Sequence, residues 1–335
     1  MKFFLSSFVL ALFIIEGFYV FVFSYPDFAK HLPDPVLIHL RSYYWSSPYR
    51  KMIQFDRSCS QYDPEVFYTL KPGNCRQANV EFSVEYKNNS IGVRDDEESL
   101  QQPDIIVLGD SQALGWGVEQ EKRFSELIEK KTGLKVLNTG VSSYGTAREL
   151  MLLRRLDTSK LKYLIIQHAS NDRWENRYYL QHNLTKDPRT EKTWNRIAKE
   201  QESQVKYYVG KNLVTLIRLF FFPEPQRHLT MSIENEESEF IQIVDSLMLK
   251  KLRNIPILIF SVTVQRSEHS EFVANLHAMI SKQDHLKTDL DFKFIDITSE
   301  LNKDQYRNVI DNHLTAQGHQ FIAEKILEFL PSKEI

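Results

Sequence analysis

The stretch Asp104–Val118, DIIVLGDSQALGWGV, constrains this chain more than any other. Four apolar residues, Ile105–Leu108, run without a break into Gly109-Asp110-Ser111, and a loop carrying Gly115 and Gly117 follows. A continuous apolar run bounded by turn residues reads as a strand of a parallel sheet, buried on both faces. Parallel strands need crossover connections, and sheets of this kind bind their ligands at the carboxyl ends of the strands. Ser111 is therefore expected where an active site would lie. The glycines around it allow a sharp turn and a close approach of backbone to ligand.

From residue 103 onward the pattern supports a three-layer α/β domain. Apolar runs at Ile105–Leu108, Leu134–Leu137, Tyr163–Gln167, Ile257–Val262 and Phe292–Ile297 read as five strands of a mostly parallel sheet. Helical segments are expected at Phe124–Lys131, Thr146–Leu156, Phe240–Leu252, Glu271–Ile280 and Thr315–Leu330. An insertion at about 173–237 breaks the rhythm. It carries Trp174, Tyr178, Tyr179, Trp194, Tyr207, Tyr208 and the apolar run Leu213–Pro225. It reads either as a lid or substrate wall, or as a helical subdomain with aromatic core residues. Phe220, Phe221 and Phe222 are candidates for contact with a membrane.

The 335 residues have room for one large domain or two modest ones. A net charge of −2 with no dense basic cluster gives no electrostatic basis for nucleic-acid binding. Residues 1–25 place Lys2 before an apolar run reaching about Phe23, interrupted by Glu16. That run exceeds the usual signal-peptide core of about 7–15 residues, so an uncleaved signal anchor is expected ahead of a cleaved signal peptide. The body of the chain is then expected outside the cytoplasm, or secreted if the segment is removed. Residues 26–102, rich in aromatics and proline, form a distinct N-terminal region; in it Val80–Tyr86 alternates like a strand and Asn89–Glu97 reads as a polar turn. With the chain exported, its two cysteines, Cys59 and Cys75, are expected to pair; otherwise they are two buried thiols.

Four polar clusters fall at strand ends or in the last loop: Gly109-Asp110-Ser111, Asn138-Thr139-Gly140, Ser170-Asn171-Asp172 and Asp311-Asn312-His313. In this order they resemble the four blocks of the SGNH (GDSL-type) hydrolase superfamily, over roughly residues 103–330. GDSQALGWGV is similar to the first block, LNTGVSSYGT to the second, SND to the third and DNHLTAQGH to the last. The resemblance implies a flavodoxin-like α/β/α sandwich and an esterase that uses neither metal nor cofactor. Ser111 is then the nucleophile, Asp311 and His313 its acid and base, and Ser111, Gly140 and Asn171 the oxyanion hole. Two positions depart from the pattern. Ala169 stands where the third block usually has glycine. The residue three before His313 is Ile310, so the acid is Asp311, two before, a spacing found in relatives acting on polysaccharide acetyl groups.

Elementary chemistry agrees with those roles. A serine hydroxyl is a weak nucleophile until a base takes its proton, and a carboxylate orients that base. Asn171 offers N–H donors without charge, and a glycine permits the backbone approach expected at 140. His168 and His319 read as packed residues, and Asp110 and Asp172 as braces of their loops. The substrate expected is an acyl ester, with the acetyl group one candidate, of a glycan, lipid or small molecule. The same intermediate would serve an O-acyltransferase, and a non-catalytic glycan-binding or envelope-assembly protein is the alternative from another class.

Overall fold

The structure, a computed structural model, describes residues 2–46, 50–222, 235–248, 250–264, 270–282 and 290–331. Two helices open the chain, α1 (Lys2–Ser24) and α2 (Asp34–Ser46). Two antiparallel hairpins follow, β1 (Ser60–Asp63) with β2 (Phe67–Leu70), and β3 (Gly73–Asn79) with β4 (Phe82–Asn88). The strand expected at Val80–Tyr86 thus begins at Phe82, because Val80 and Glu81 form the two-residue turn that joins β3 to β4. Cys59 and Cys75 are joined by a disulfide, with Cα atoms 5.3 Å apart. It links the start of one hairpin to the first strand of the other.

The remaining chain builds the sandwich from β5 (Ile105–Leu108), α3 (Ser111–Leu114), α4 (Phe124–Thr132), β6 (Val136–Asn138), α5 (Thr146–Leu153) and β7 (Tyr163–Ala169). Among the described residues of the insertion stand three helices, α6 (Asp172–His182), α7 (Glu191–Gln204) and α8 (Lys211–Phe221). Then come α9 (Glu236–Leu247), β8 (Ile257–Val262), α10 (Phe272–Lys282), β9 (Phe292–Phe294), α11 (Thr298–Leu301) and α12 (Ala316–Leu327).

The five strands are parallel in the order β6-β5-β7-β8-β9. Alternation along each strand divides the apolar side chains between two cores. Ile106, Leu108, Leu164, Ile166 and Ile259 pack under α5, α9 and α10, while Ile105, Val107, Ile165, Leu258 and Phe260 pack under α4 and α12. The chain leaves β5 toward β6 and then crosses back to β7, so β5 and β7 flank the point where the strand order reverses. Open α/β sheets place their ligand crevice there.

The insertion is folded onto the N-terminal region. Tyr179 and Trp194 are core residues, and Trp194 Nε1 donates to Gln54 O at 2.9 Å. Tyr207 and Tyr208 are exposed.

The segment expected to span a membrane forms the helix α1, and among the described residues no helix is long and apolar enough to cross a membrane. Glu16, the charge that interrupts the run, is buried against α8. Its Oε1 accepts from Tyr207 O–H (3.0 Å), Gly210 N (3.2 Å) and Asn212 Nδ2 (3.2 Å), and its Oε2 accepts from Leu213 N (3.1 Å). A carboxylate on the first N–H groups of a helix satisfies donors that the helix cannot.

The disulfide closes a loop of 16 residues in sequence separation, which in the chain-entropy model contributes about 3 kcal/mol. The double variant Cys59→Ser/Cys75→Ser is expected to lose about that much unfolding free energy in a urea titration. Reductant is expected to lower the parent protein's midpoint and leave the variant's unchanged.

Candidate active site

Ser111 opens α3 immediately beyond β5. Its turn is fixed from three sides. Asp110 caps α3, Oδ1 accepting from Gln112 N at 2.8 Å, and Gln167 at the end of β7 accepts through Oε1 from Asp110 N and Ala113 N, both at 3.1 Å. These acceptors take up the N–H groups of Asp110, Gln112 and Ala113 on either side of Ser111. At the other end of α3, Gly115 takes the left-handed conformation (φ +75°) that closes the short helix.

The buried Arg94 guanidinium then collects the carbonyls that follow. Nη1 donates to Leu114 O (3.1 Å) and Gly115 O (2.8 Å), and Nη2 to Val118 O (2.7 Å). Its neighbour Asp95 is also buried and accepts from Asn138 N at 2.6 Å. The segment Asn89–Glu97 is a turn, as expected, but these two charges point inward and hold the loops that carry Ser111 and Gly140. No local pattern marks them, because their partners lie elsewhere in the sequence.

Asp311 and His313 share one turn of the last loop, and Asn312 between them adopts φ +68°. His313 Nε2 lies 2.8 Å from Ser111 Oγ, and His313 Nδ1 is hydrogen-bonded to Asp311 Oδ1. With Nδ1 facing a carboxylate, the assigned tautomer carries its proton there, and Nε2 is the acceptor for the serine hydroxyl. The other carboxylate oxygen, Oδ2, accepts from Tyr44 O–H (2.7 Å) and Trp116 Nε1 (3.3 Å). Two indoles stack on the imidazole, Trp116 at 5.0 Å and Trp45 at 5.8 Å between ring centroids.

Asp311 is fully buried, and burial alone would raise its carboxyl. The charge and hydrogen bond of His313, with Arg50 and the Tyr44 hydroxyl, outweigh burial and hold it at about 2. The loop is clamped by Glu81, which accepts from Val309 N (2.6 Å), Ile310 N (3.0 Å) and Asp311 N (2.6 Å), and by Arg307 Nη1, which donates to Asn312 O (2.9 Å).

The expected oxyanion donors come from three loops. Leu108 of β5 is in register with Ile166 of β7, so Ser111 and Asn171 leave adjacent strands at the crevice. Asn171 stands at the start of α6, and its buried Oδ1 has no partner among the described residues. Gly140 packs so tightly that a Cβ there would lie 2.4 Å from Leu114 N. Its N–H already donates to Asn138 Oδ1 at 2.9 Å, an Asx-type turn, so it is less available than expected. Asn138 Nδ2 in turn holds Ala113 O (2.8 Å) and Ser125 Oγ (3.0 Å).

Behind the crevice, Asp172 Oδ2 accepts from Ala169 N (3.2 Å) and Thr146 Oγ1 (3.4 Å). Burial, and then the charge of Asp110, pushes the Asp172 carboxyl well above its ordinary value. Glu149, which the sequence did not single out, is fully buried and raised likewise by burial and by Asp172. His168 and His319 lie outside this constellation. Burial pushes both down to about 3; His168 stacks on Phe272 and His319 Nδ1 accepts from Phe124 N at 3.2 Å.

No protein-family model matches this chain, and no curated protein matches it. Solved structures similar to it include a protein described as lipolytic and of the G-D-S-L family, from Desulfitobacterium hafniense DCB-2. It is 11% identical with a TM-score of 0.38, over 68% of this chain and 98% of that one. A GDSL-like lipase from Bacteroides ovatus ATCC 8483 is 12% identical with a TM-score of 0.38, over 69% of this chain and 55% of that one. The lipase Lip_vut3 from a goat rumen metagenome is 14% identical with a TM-score of 0.33, over 67% of this chain and 95% of that one.

The Asp311 carboxyl lies below its ordinary 3.8 in the folded protein, at about 2, so its ionised form stabilises the fold. The difference corresponds to about 2 kcal/mol. That contribution is fully present above about pH 4 and is lost as pH falls through 2. Asp311→Asn is therefore expected to be less stable than the parent at pH 6, with most of that gap gone near pH 2.5, as read by urea unfolding at the two pH values.

Proposed function

We propose that this chain is a serine ester hydrolase of the SGNH type, acting through an acyl-Ser111 intermediate. The observation that carries the proposal is the buried imidazole of His313, bonded to Ser111 Oγ on one side and to the Asp311 carboxylate on the other. Ser111 Oγ would attack the ester carbonyl while His313 Nε2 takes its proton. Collapse of the tetrahedral intermediate releases the alcohol, which receives that proton. Water then attacks the acyl-serine, again through His313, and frees the acid and the enzyme. Asp311 keeps the imidazole in its working tautomer and stabilises the imidazolium.

The oxyanion donors are the N–H groups of Ser111 and Gly140 and the amide of Asn171. Each is worth roughly 3–4 kcal/mol when aimed at the developing charge. Gly140 N–H would have to be shared between Asn138 and the oxyanion. The substrate class is an acyl ester, with the acetyl ester one candidate. The disulfide supports a location outside the cytoplasm. The apolar side chains left exposed on α1 and at the end of α8, among them Leu10, Phe13, Ile14, Phe220 and Phe221, support contact with a membrane.

The test uses the full chain in detergent, since α1 docks on α8. The parent protein is expected to hydrolyse p-nitrophenyl acetate and butyrate and to be labelled by a serine-directed phosphonate. Ser111→Ala is expected to lose the label and at least about 10³-fold in kcat. Asn171→Ala is expected to keep the label and lose about 10²-fold in kcat. A parent protein with neither turnover nor label would overturn the proposal. Label without turnover would move it to acyl transfer.

A further inference from the structure

We infer that Tyr44 of α2 is a positioning residue of the Ser111–His313 pair, acting through Asp311, so that the N-terminal helices belong to the catalytic unit. The inference rests on the serine-hydrolase reading for its kinetic arm only.

Asp311 divides its two oxygens. Oδ1 faces His313, and Oδ2 is held by the Tyr44 hydroxyl at 2.7 Å and by the longer Trp116 N–H at 3.3 Å. The Tyr44 phenol is fully buried; burial first and then the Asp311 charge raise it well above its ordinary value, so it stays a donor. The N–H groups of Val309, Ile310 and Asp311 itself go to Glu81. The charged groups around Asp311 are His313, Arg50 and Glu81.

The Tyr44 contact is itself anchored. Arg41 Nε, one turn earlier on α2, donates to Val309 O at 2.7 Å, and Tyr43 O–H donates to Asn212 Oδ1 at 2.8 Å. Asn212 is held by Glu16 of α1. A continuous set of hydrogen bonds therefore runs from α1 through α8 to α2, and α2 places one hydroxyl on the catalytic acid.

Removing that hydroxyl frees the carboxylate to rotate and leaves more of its charge to the imidazole. Tyr44→Phe is expected to lower kcat by about tenfold with KM within about twofold. The low-field NMR signal of the His313 Nδ1 proton, which reports its bond to Asp311, is expected to move further downfield. The NMR arm needs no turnover, so it stands even if the hydrolase reading fails. In an Asp311→Asn background the same substitution is expected to change neither quantity, because the contact acts through Asp311. Tyr43→Phe, on the same helix but bonded to Asn212, serves as the control: it is expected to cost stability without moving the His313 signal. An unchanged signal in Tyr44→Phe, an undiminished effect in the Asp311→Asn background, or an equal shift in Tyr43→Phe would each overturn the inference.

Discussion

A carboxylate removed from water must have its lone pairs filled, and Asp311 is the place where this chain meets that demand most strictly. Desolvation of one such ion costs several kcal/mol, and only good partners recover it. Asp311 recovers it from His313, Tyr44 and Trp116, which come from its own loop, from α2 and from the loop after α3. Any shift of α2 or of that loop would leave charge uncompensated. The acid therefore ties together segments that the α/β sandwich alone would not bring into contact.

The same logic recurs wherever the N-terminal region meets the sandwich. Arg94 brings a buried charge to three carbonyls of the loop after Ser111, and its cation stacks 3.8 Å over Tyr86. Glu81 brings a carboxylate to the three consecutive N–H groups of Val309, Ile310 and Asp311, and Glu16 brings one to the first turn of α8. Hydrogen bonds with one charged partner are worth about 1.5–3 kcal/mol, and breaking one leaves a buried ion unpaired. These contacts explain how residues 26–102, rich in aromatics, pack as part of the sandwich.

What the sequence made legible follows from this. The strands at Ile105–Leu108 and Ile257–Val262 have the expected bounds, because a strand buried on both faces leaves an unbroken apolar run that needs no context. The ends of β6 and β9 shifted by a few residues, since these are short edge strands whose limits depend on their one neighbour, and β7 runs two residues beyond its expected end at Gln167 because it pairs with β8 as far as Ala169. Ser111, Asp311 and His313 were legible as residue types at strand ends and in the last loop. Their partners were not. Tyr44 stands 267 residues from Asp311, and nothing about Tyr-Tyr-Trp in an amphipathic helix distinguishes a donor to a buried acid from core packing. The apolar run at the start of the chain shows the same limit: composition reads hydrophobicity, whereas Glu16, bonded to α8, marks the side of α1 that meets protein.

The short Asp-Xaa-His spacing has a structural consequence of its own. Asp311 and His313 leave the same tight turn, with Asn312 in the left-handed region between them. That geometry lets Asp311 Oδ1 reach His313 Nδ1 across one residue. The N–H groups of Val309, Ile310 and Asp311 converge on Glu81 and fix the turn. The second carboxylate oxygen takes both of its donors from outside the loop, Trp116 from beyond α3 and Tyr44 from α2. The turn is thus closed from outside, and α2 of the N-terminal region supplies the shorter of the two bonds.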